Sequence, residues 1–509
     1  CSMDHPSQNE RLEDVIRQMA QRDPQALAMV SSRFNALSYA QLVSQIDQVA
    51  GVLARAGWGK SSRIAIAVKD NAAAALAIVA VACAAVAVPL DPNLAAAELE
   101  MRLNLLEVDV LCTLAGEATA AKNVAEKCGI PCAEIVLKDQ RELAFSLAMP
   151  KVSGRHEESG EVVDTIAVIL QTSGTTAEPK LVPCLHSNLL ATARNARQWF
   201  NLDRQDRSLS VAPPYYSHGL TLTILGALLS GGSVAFPTSL TDVNVVEWFE
   251  LLNPTWYSAS PTMHLVISEM IDTLPAPIKH RIRFASSGGA KMPESVRSAI
   301  ESKLGIVMLE HYGMTEAGQV CANLSLPGLR KSETVGVPPP DTVMIAGPDG
   351  NALPQGETGE VLVRGANVMK GYLKNPDLNS IAFVNGWFRT GDIGSIDPEG
   401  FLQISGRIKE LINRGGEKIS PFEIEAVLSK HPDVLEAVAF AVAHPRLGED
   451  VGAAVILRPG ATVAAGEFRR FMGEQLSWNK VPRRVHIVES IPRGGGGKVL
   501  RNKLRELYS

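Results

Sequence analysis

Short apolar runs alternate with amphipathic segments over two long stretches of the chain. Between Ser61 and Leu137 the strand candidates are rich in Val, Ile and Ala and read RIAIAV, AVAVPL, VDVLCTL and CAEIVL, with helix-like text such as AAAELEMRLNLLE between them. The alternation returns between Thr165 and Met308, where the strand candidates are TIAVILQ, SLSVAPP, GSVAFP and IRFASS. Buried parallel strands read as apolar runs because helices cover both faces of their sheet. The pattern therefore predicts two α/β sheets.

The pattern changes twice in the second half of the chain. Over residues 336–404 the strand candidates are short and broken by Gly, Pro and Asp, as in TGEVLVRG and GFLQISGR, which predicts a small β-rich subdomain. A new α/β unit follows, with helix candidates SPFEIEAVLSKH and GEFRRFMGEQL and strand candidates VLEAVAFAV and GAAVIL. We therefore predict a large domain over residues 1–405 and a small domain over residues 406–509, with a boundary near Lys409.

Composition and charge fit a large folded chain. Of its 509 residues, 46% are hydrophobic and 20% are charged, and the formal net charge is -5, which allows a large core and a mildly acidic surface. Basic residues form only short pairs such as Arg483-Arg484, so no nucleic-acid partner is expected. The segment from Ala72 to Leu90 is apolar and long enough to raise the question of a transmembrane helix. It is mostly alanine and becomes Val-rich near Ala85, so we predict a buried helix followed by a buried strand.

Cysteine usage and the N-terminal text bear on the cellular compartment. The seven cysteines are scattered and odd in number, which favours a reducing compartment. Cys128 and Cys132 lie four residues apart, but no second pair or neighbouring His completes a zinc set, so buried or incidental thiols are expected. No charged region followed by an apolar run opens the sequence, so the cytoplasm is the expected location. A monomer and a homodimer both remain open.

A run of small hydroxyl residues follows the strand candidate TIAVIL. This run, QTSGTTAEPK, spans Gln171 to Lys180 and precedes the helix candidate HSNLLATARNA. Backbone N–H and hydroxyl groups in such a loop are free to bind phosphate oxygens, and Lys180 adds positive charge. The alternative is an ordinary surface loop, but the length of the run and its terminal lysine favour phosphate binding.

A second polar motif, HYGMTE, follows the strand-like text GIVMLE. Its Tyr312 ring is suited to packing on a base, Thr315 to donating to a phosphate, and Glu316 to holding Mg²⁺ through oxygen. In a third motif, RTGDIG with GRIKELINRGGEKISP, Asp392 is suited to accept from ribose hydroxyls and Arg407 to pair with a phosphate or ribose oxygen. The alternatives are a solvated strand end and a surface salt bridge, which usually contributes little.

The fourth motif, PRGGGGKVLR, places Lys498 after a glycine run near the C-terminus. It is not a Walker A loop, because Pro492 stands where the first glycine belongs and Val499 replaces the required Ser or Thr. A flexible glycine run is able to carry one ammonium group into a distant site. The alternative is a frayed end of the chain.

Taken together, the motifs TSGTT…PK, YGMTE, TGD, GRIKE and a GK near the end resemble the adenylate-forming superfamily. This superfamily includes acyl-CoA synthetases, luciferases and the adenylation domains of peptide synthetases. The resemblance runs from LSYAQL at Leu37 to Lys498. It implies a large N-terminal domain of two α/β sheets and a β-barrel subdomain, with a small mobile α+β C-terminal domain hinged at Lys409.

The resemblance implies an ATP-dependent acid:CoA ligase that requires Mg²⁺. Such an enzyme converts a carboxylic acid to an acyl-adenylate with release of pyrophosphate and then passes the acyl group to the thiol of CoA. An anionic carboxylate must approach an anionic phosphate, so fixed cations are expected to dominate catalysis. By similarity Lys498 bridges the carboxylate and the α-phosphate, and Thr315 is a further catalytic residue. Glu316 and Thr176 are the expected metal ligands.

The remaining site positions also follow from the resemblance. Lys409 is the expected pivot, and Gly415 and Gly416 are expected to line a channel for the pantetheine arm of CoA, because glycines allow close approach to the backbone. The expected nucleotide-binding positions are Thr172, Ser173, Gly174, Thr175, Thr176, Lys180, Gly289, Ala290, Glu310, His311, Tyr312, Gly313, Asp392 and Arg407.

The acid substrate is less well defined than the nucleotide site. The text GRIKELINRGGEKISP, with TWYSASPTMH, is most similar to oxalate-activating CoA synthetases, but Gly288, Gly289 and Gln319 stand where those enzymes tend to carry a Ser-rich segment and a further His. The glycines, with Tyr216 and His218, predict a deeper, partly aromatic pocket for a medium-chain or aryl acid. Oxalate or another small diacid is the alternative substrate. For His218 the alternative is a purely structural role.

Three rival functions share the nucleotide motifs. They are an adenylating enzyme that loads a carrier protein in trans, an oxidative relative that uses the adenylate to emit light, and a nucleotide-binding protein without activity. Pyrophosphate exchange with a panel of acids distinguishes the last of these from the others, and the choice of thiol acceptor distinguishes ligase from loader.

Overall fold

The first α/β layer is built from the predicted apolar runs. The computed structural model describes residues 10–117, 120–139, 141–150, 165–172, 179–274, 278–324, 329–494 and 499–508. Over its first part the helices are α1 (Leu12–Arg22), α2 (Tyr39–Arg55), α3 (Asn71–Ala84), α4 (Ala96–Leu106) and α5 (Ala120–Lys127). The strands are β1 (Leu27–Ser31), β2 (Leu37–Ser38), β3 (Arg63–Ile66), β4 (Val86–Pro89), β5 (Val110–Leu114), β6 (Cys132–Leu137) and β7 (Phe145–Ala148).

The second α/β stretch follows the same alternation. Its strands are β8 (Ile166–Thr172), β9 (Lys180–Leu185), β10 (Arg207–Leu209), β11 (Ser233–Phe236), β12 (Trp256–Ala259), β13 (Phe284–Ser287), β14 (Val307–Met314) and β15 (Gly318–Ala322). Its α-helices are α6 (His186–Phe200), α7 (Gly226–Leu229), α8 (Pro261–Asp272) and α9 (Glu294–Leu304), and π-helical segments cover His218–Leu225 and Glu247–Leu251.

These strands form two large mixed sheets. One has seven strands in the order β7-β6-β5-β3-β4-β8-β9, and the other has eight in the order β15-β14-β13-β12-β10-β11-β1-β2. Most neighbours in both sheets are parallel, with antiparallel strands at the edges. The carboxyl ends of parallel strands lie at one edge of a sheet, where ligands bind in this class of fold. The prediction of two α/β sheets is confirmed.

Helix α3 explains the long apolar segment that raised the question of a membrane span. It begins after Asp70, whose carboxylate accepts from the backbone N–H of Ala73 at 2.9 Å, and its residues from Ala72 to Cys83 are buried. A helix that is apolar on every side belongs inside a core. The buried strand β4 follows it, as predicted. None of the described helices combines the length and apolar character needed to cross a bilayer.

A five-stranded antiparallel sheet forms the β-rich subdomain. Its strands are β16 (Val343–Ala346), β17 (Gly359–Val363), β18 (Phe383–Val384), β19 (Trp387–Ile396) and β20 (Leu402–Arg407), and α10 (Pro376–Ala382) precedes β18. The order is β16-β17-β19-β18, with β20 also paired to β19. This sheet ends at Arg407, directly before the predicted pivot.

A separate sheet and core follow a short 3₁₀ turn at Ile408–Glu410. The strands are β21 (Ile412–Arg414), β22 (Glu417–Ile419), β23 (Val434–His444), β24 (Gly448–Leu457) and β25 (Arg484–Ile487), and the helices are α11 (Pro421–Leu428), α12 (Ala465–Gly473) and α13 (Arg501–Tyr508). The order is β22-β21-β24-β23, with β25 parallel to β24. Its apolar core includes Ile424, Val451 and Phe468 and is distinct from the cores of the large sheets.

Candidate active site

The two ends of the predicted phosphate run lie on paired antiparallel strands. Strand β8 ends at Thr172, which is paired with Lys180 at the start of the antiparallel strand β9. The predicted helix, α6, begins only after β9, so its N-terminus does not adjoin the loop. The predicted helix at HSNLLATARNA is present, whereas the strand KLVPCL before it was not predicted. The predicted residues Ser173, Gly174, Thr175 and Thr176 lie outside the described residues.

Lys180 and Glu316 are linked through Tyr372. The Lys180 ammonium nitrogen lies 4.9 Å from the centroid of the Tyr372 ring, and the Tyr372 hydroxyl donates to Glu316 Oε1 at 2.8 Å. The tyrosine is held by its neighbour Leu373, whose N–H donates to the carbonyl of Leu181 in β9 at 3.0 Å. Burial and the Glu316 carboxylate raise the pKa of Tyr372, so its hydroxyl keeps the proton that it donates.

The motif HYGMTE lies mostly within strand β14 and not after it. His311 to Met314 pair antiparallel with β15, and the turn between the two strands carries Thr315 and Glu316. Gly313 is required by close packing, because an added Cβ would lie 2.5 Å from the carbonyl oxygen of Gly318. The hairpin therefore presents Thr315 and Glu316 at its tip, where both border a small cavity.

Glu316 fits the manner in which Mg²⁺ is held in nucleotide sites. This ion is usually bound by one or two carboxylates together with substrate phosphates and water. Within the described ranges no three His, Cys, Asp or Glu side chains form a metal cluster. The Tyr372 hydroxyl donates to Oε1 of Glu316 and so orients the carboxylate that would hold the ion. Bound Mg²⁺ would offset negative charge on the phosphates.

Asp392 and Arg407 meet on adjacent strands of the five-stranded sheet. They are direct cross-strand partners, and Arg407 Nε lies 2.8 Å from Asp392 Oδ1. The hydroxyl of Tyr312 donates to Asp392 Oδ2 at 2.5 Å. Both carboxylate oxygens of Asp392 are thus engaged within the protein. Asp392 is buried, so the ion pair is not the exposed surface salt bridge that the sequence allowed as an alternative.

The Tyr312 ring is buried against this pair. Burial and the neighbouring Asp392 raise the pKa of Tyr312, which keeps its hydroxyl protonated as a donor. The sequence interpretation placed this ring on a nucleotide base. In the structure its hydroxyl end points to the ribose-binding candidate Asp392, which brings the second and third motifs together.

The predicted acid-pocket residue His218 belongs to a hydrogen-bonded chain. Its Nε2 lies 2.8 Å from Ser258 Oγ, and the Ser286 hydroxyl donates to Ser258 Oγ at 2.7 Å. His264 Nε2 lies 3.0 Å from the carbonyl oxygen of Ser286. Burial lowers the pKa values of His218 and His264 to about 4, so both imidazoles are neutral at pH 7. Tyr216 precedes His218 by two residues, and its ring lies 4.8 Å from that of Tyr215.

His311 fills the space beside Gly288. A Cβ at position 288 would lie 2.2 Å from His311 Nε2, and the His311 ring packs 5.4 Å from that of His218. Gly288 therefore leaves room for the His311 ring, and its part in an acid pocket stays a prediction. Gly289 has a left-handed backbone, with φ of 85° and open space around its Cα. Gly289 and Ala290 are both exposed.

Glu310 lies where β14 stops pairing with β13 and begins to pair with β15. It is the last residue of β14 to pair with β13, and its Oε1 lies 3.3 Å from Arg297 Nη1. Burial raises its pKa to about 6. The carbonyl oxygen of Glu310 accepts from the N–H of Asn323 at 2.9 Å, so its backbone is fixed next to the nucleotide-binding candidates.

Lys409 lies in the 3₁₀ turn that connects β20 of the five-stranded sheet to β21 of the small-domain sheet. Desolvation by surrounding protein, with Arg407 as a nearby positive charge, lowers its pKa. The predicted channel glycines, Gly415 and Gly416, form the turn between β21 and β22 with φ values of 62° and 97°. This left-handed backbone favours glycine. Lys498 lies outside the described residues.

Sequence reasoning missed several contributors to the site. Tyr372 stands in GYL, which carries no recognisable signal, although the preceding Gly371 has φ of 146° and marks an unusual turn. Ser258 and Ser286 each occupy a strand that reads simply as buried. Their role depends on register between neighbouring strands, which one sequence does not reveal.

Comparison with known proteins extends these observations. The AMP-binding enzyme model matches residues 16–373, and the model of the AMP-binding enzyme C-terminal domain matches residues 423–498. An oxalate–CoA ligase of Arabidopsis thaliana is 35% identical over 502 residues, covering 97% of this chain and 98% of the relative. ATP-bound MatB from Rhodopseudomonas palustris is similar in structure, with a TM-score of 0.85 at 27% identity, covering 98% of this chain and 99% of that one.

A second solved structure bears on the metal. O-succinylbenzoate coenzyme A synthetase (MenE) from Bacillus subtilis, in complex with ATP and a magnesium ion, has a TM-score of 0.79 at 28% identity and covers 96% of this chain and 98% of that one. The family models and the near full-length relative confirm the resemblance found from the motifs. The chain belongs to the AMP-binding enzyme family and is an AMP-forming acyl-CoA synthetase.

Proposed function

We propose that this enzyme activates a monocarboxylic acid with an uncharged tail as its acyl-adenylate and then transfers the acyl group to CoA. The observation that carries the proposal is the convergence of Lys180, Tyr372 and Glu316, which come from three separate stretches of the chain. They supply a cation for phosphate and a carboxylate for Mg²⁺ within one cluster. The Asp392–Arg407 pair adds a nucleotide-binding surface.

Adenylation requires like charges to meet. The carboxylate attacks the α-phosphorus, a C–O–P linkage forms, and pyrophosphate leaves with the electron pair of the broken P–O bond. Lys180 would offset charge on the departing phosphates, and Lys498 is assigned to the carboxylate and α-phosphate. Preorganised charge stabilisers of this kind contribute about 3–4 kcal/mol to the barrier.

The acid pocket favours an uncharged tail. Its described candidates include His218, His264, Ser258 and Ser286, and none of these four carries a positive charge at neutral pH because the histidines are neutral. A second carboxylate or sulfonate placed against His218, which is the one of these four residues that is not fully buried, would lose water without gaining an ion pair, which is costly. This supports a medium-chain or aryl acid over oxalate, even though an oxalate–CoA ligase is a relative.

Two ion-pair groups flank the proposed pivot. On one side Arg407 is bound to Asp392 at 2.8 Å. On the other side Arg501 of α13 bridges Glu410 at 3.2 Å and Glu425 at 2.9 Å. Rotation is therefore concentrated in the two residues between the anchored positions, Ile408 and Lys409, because a hinge absorbs its change in backbone dihedral angles over few residues. This supports a pivot at Ile408 and Lys409, two to three residues after the predicted boundary at residues 405–406, because Gly406 and Arg407 pair with β19 of the five-stranded sheet.

Pyrophosphate exchange tests the activation step and the acid. The protein would be incubated with ATP, Mg²⁺, labelled pyrophosphate and one acid at a time, including hexanoate, benzoate, cinnamate, oxalate and sulfoacetate. Exchange with hexanoate, benzoate or cinnamate is expected to exceed exchange with oxalate or sulfoacetate. Faster exchange with oxalate or sulfoacetate would contradict the uncharged-tail assignment. If none of the acids supported exchange, the proposed formation of an acyl-adenylate would be contradicted.

The thiol acceptor requires a separate assay. A carrier protein in trans is the second candidate, since it shares the activation step. Thioester formation would be followed with CoA and, in parallel, with a phosphopantetheinylated carrier protein. Faster turnover with CoA supports the ligase, whereas turnover restricted to the carrier would overturn the CoA acceptor.

A further inference from the structure

One short segment between β17 and α10 holds the turn that carries Glu316 at three points. The N–H of Met369 donates to the carbonyl of Glu316 at 2.9 Å, and the Tyr372 hydroxyl donates to the Glu316 carboxylate at 2.8 Å. The third contact is made by the side chain of Asn367. The segment is distant in sequence from β14 and β15, so these contacts fix the turn from outside the hairpin.

Asn367 spans the turn with a single amide group. Its Nδ2 donates to the carbonyl of Ala317 at 2.7 Å and to the carbonyl of Gln319 at 3.2 Å. Ala317 directly follows Glu316, and Gln319 pairs with Gly313 across the hairpin. An amide nitrogen carries two hydrogens, so one side chain binds two backbone carbonyls. Because both bonds go to the backbone, they fix the path of the turn itself.

The chain on either side of Asn367 is anchored by Asn188 of α6. The Asn188 Nδ2 donates to the carbonyl of Ala366 at 2.8 Å and to that of Val368 at 3.1 Å. Asn188 is buried, and its Oδ1 accepts from the N–H of Leu185 at 3.0 Å. The two asparagines therefore connect the start of a core helix to the turn that carries Glu316.

The surroundings of Asn367 fit this side chain closely. A Cβ at position 365 would lie 2.6 Å from Asn367 Oδ1, and Gly365 has φ of 151°, so glycine is favoured there on both counts. Asn367 also borders the small cavity that Thr315 and Glu316 border. The amide oxygen thus packs against Gly365, and Asn367 acts on the turn through the two bonds that it donates.

We propose that Asn367 is a positioning residue for adenylation, which sets the backbone of the turn so that Glu316 reaches Mg²⁺. The inference rests on the proposed metal role of Glu316 and deepens it by naming what orients that carboxylate. Mg²⁺ demands near-ideal octahedral geometry, so a small shift of the turn weakens its binding. Thioester formation from a supplied acyl-adenylate involves no triphosphate, so it does not depend on this geometry.

Two substitutions remove the donated bonds in different ways. Asn367→Ala deletes the amide, whereas Asn367→Asp keeps its shape and replaces the donor with an oxygen. We expect both variants to raise the Mg²⁺ concentration for half-maximal pyrophosphate exchange roughly tenfold. The conversion of supplied acyl-adenylate and CoA to the thioester should stay at the wild-type rate.

Gln45→Ala is the matched control. The Gln45 amide is buried and also donates to a backbone carbonyl, that of Phe145 at 3.0 Å, but it does so in the core below the first sheet. This variant is expected to lose stability and to keep the wild-type Mg²⁺ requirement per folded molecule.

A second contact to the same turn provides a milder variant. Asn195 of α6 donates through Nδ2 to the carbonyl of Gln319 at 3.2 Å, which is one of the two oxygens that Asn367 binds. Asn195 is only partly buried, so its replacement is readily tolerated by the fold. Asn195→Ala is expected to raise the Mg²⁺ requirement roughly threefold, because Ala317 remains bound.

The outcomes that overturn the inference are distinct. An unchanged Mg²⁺ requirement in Asn367→Ala or, where that variant does not fold, in Asn195→Ala would refute the positioning role, as would wild-type exchange by Asn367→Asp. Equal loss of both half-reactions per folded molecule would show a general structural role instead. If exchange by the unaltered enzyme did not depend on Mg²⁺, the proposed metal role of Glu316 would be refuted, and this inference with it.

Discussion

Removing the Tyr372 hydroxyl tests whether its hydrogen bond orients the Glu316 carboxylate. Tyr372→Phe removes the donor 2.8 Å from Glu316 Oε1 and keeps the aromatic ring beneath the Lys180 ammonium group. A hydrogen bond to a charged group contributes about 1.5–3 kcal/mol, and about 1.4 kcal/mol corresponds to a factor of ten in rate. We therefore expect pyrophosphate exchange to fall roughly tenfold to a hundredfold, with a higher Mg²⁺ requirement because the carboxylate is less well oriented.

The assay is exchange rate against Mg²⁺ concentration at saturating ATP and acid. Tyr39→Phe is the matched control, because the Tyr39 hydroxyl is also buried and donates to the carbonyl of Leu228 at 2.7 Å in the core. That variant is expected to lose stability without losing activity per folded molecule. Wild-type exchange and an unchanged Mg²⁺ requirement in Tyr372→Phe would refute the role assigned to this hydroxyl.

Two further predictions concern stability. Burial lowers the pKa of His186 to about 3. Below pH 6.5 the unfolded chain therefore binds a proton that the native histidine does not, and the free energy of unfolding decreases as the pH is lowered. The stability deficit of His186→Gln relative to the wild type should therefore shrink by about 1.4 kcal/mol per pH unit below 6.5 in urea unfolding; a constant deficit would contradict this. Gly288→Ala should cost about 1–3 kcal/mol through its clash with His311, whereas Gly466→Ala, with open space around it, should be neutral in thermal unfolding.

Much of the fold follows from local sequence. The apolar runs that became β3, β4, β5 and β6 were recognisable because helices cover both faces of a parallel sheet and polar residues are excluded from its strands. The same reasoning failed at β9, where KLVPCL contains a proline and follows a polar loop. Its neighbour β8 is an interior strand, so β9 occupies the sheet edge, and proline is tolerated at edges.

The candidate site was predictable only in part. Glu316, Asp392 and Arg407 stand in motifs with recognisable chemistry, and the structure brings Asp392 and Arg407 together through strand register. Gly288 shows the limit of such reasoning, because the sequence does not reveal that the ring of His311 lies where a Cβ at position 288 would stand. Tyr372 shows another limit, since its link to Glu316 spans 56 positions in sequence and leaves no local trace.

The measurement that most directly tests the central claim is the separation of the two half-reactions in Lys498→Ala. We predict that the barrier to adenylate formation rises by about 3–4 kcal/mol in this variant. The variant should still convert supplied acyl-adenylate and CoA to the thioester. Lys503→Ala, which removes an exposed lysine from α13, is the control and should retain both steps. Equal loss of both half-reactions in Lys498→Ala, or normal adenylation, would contradict the account.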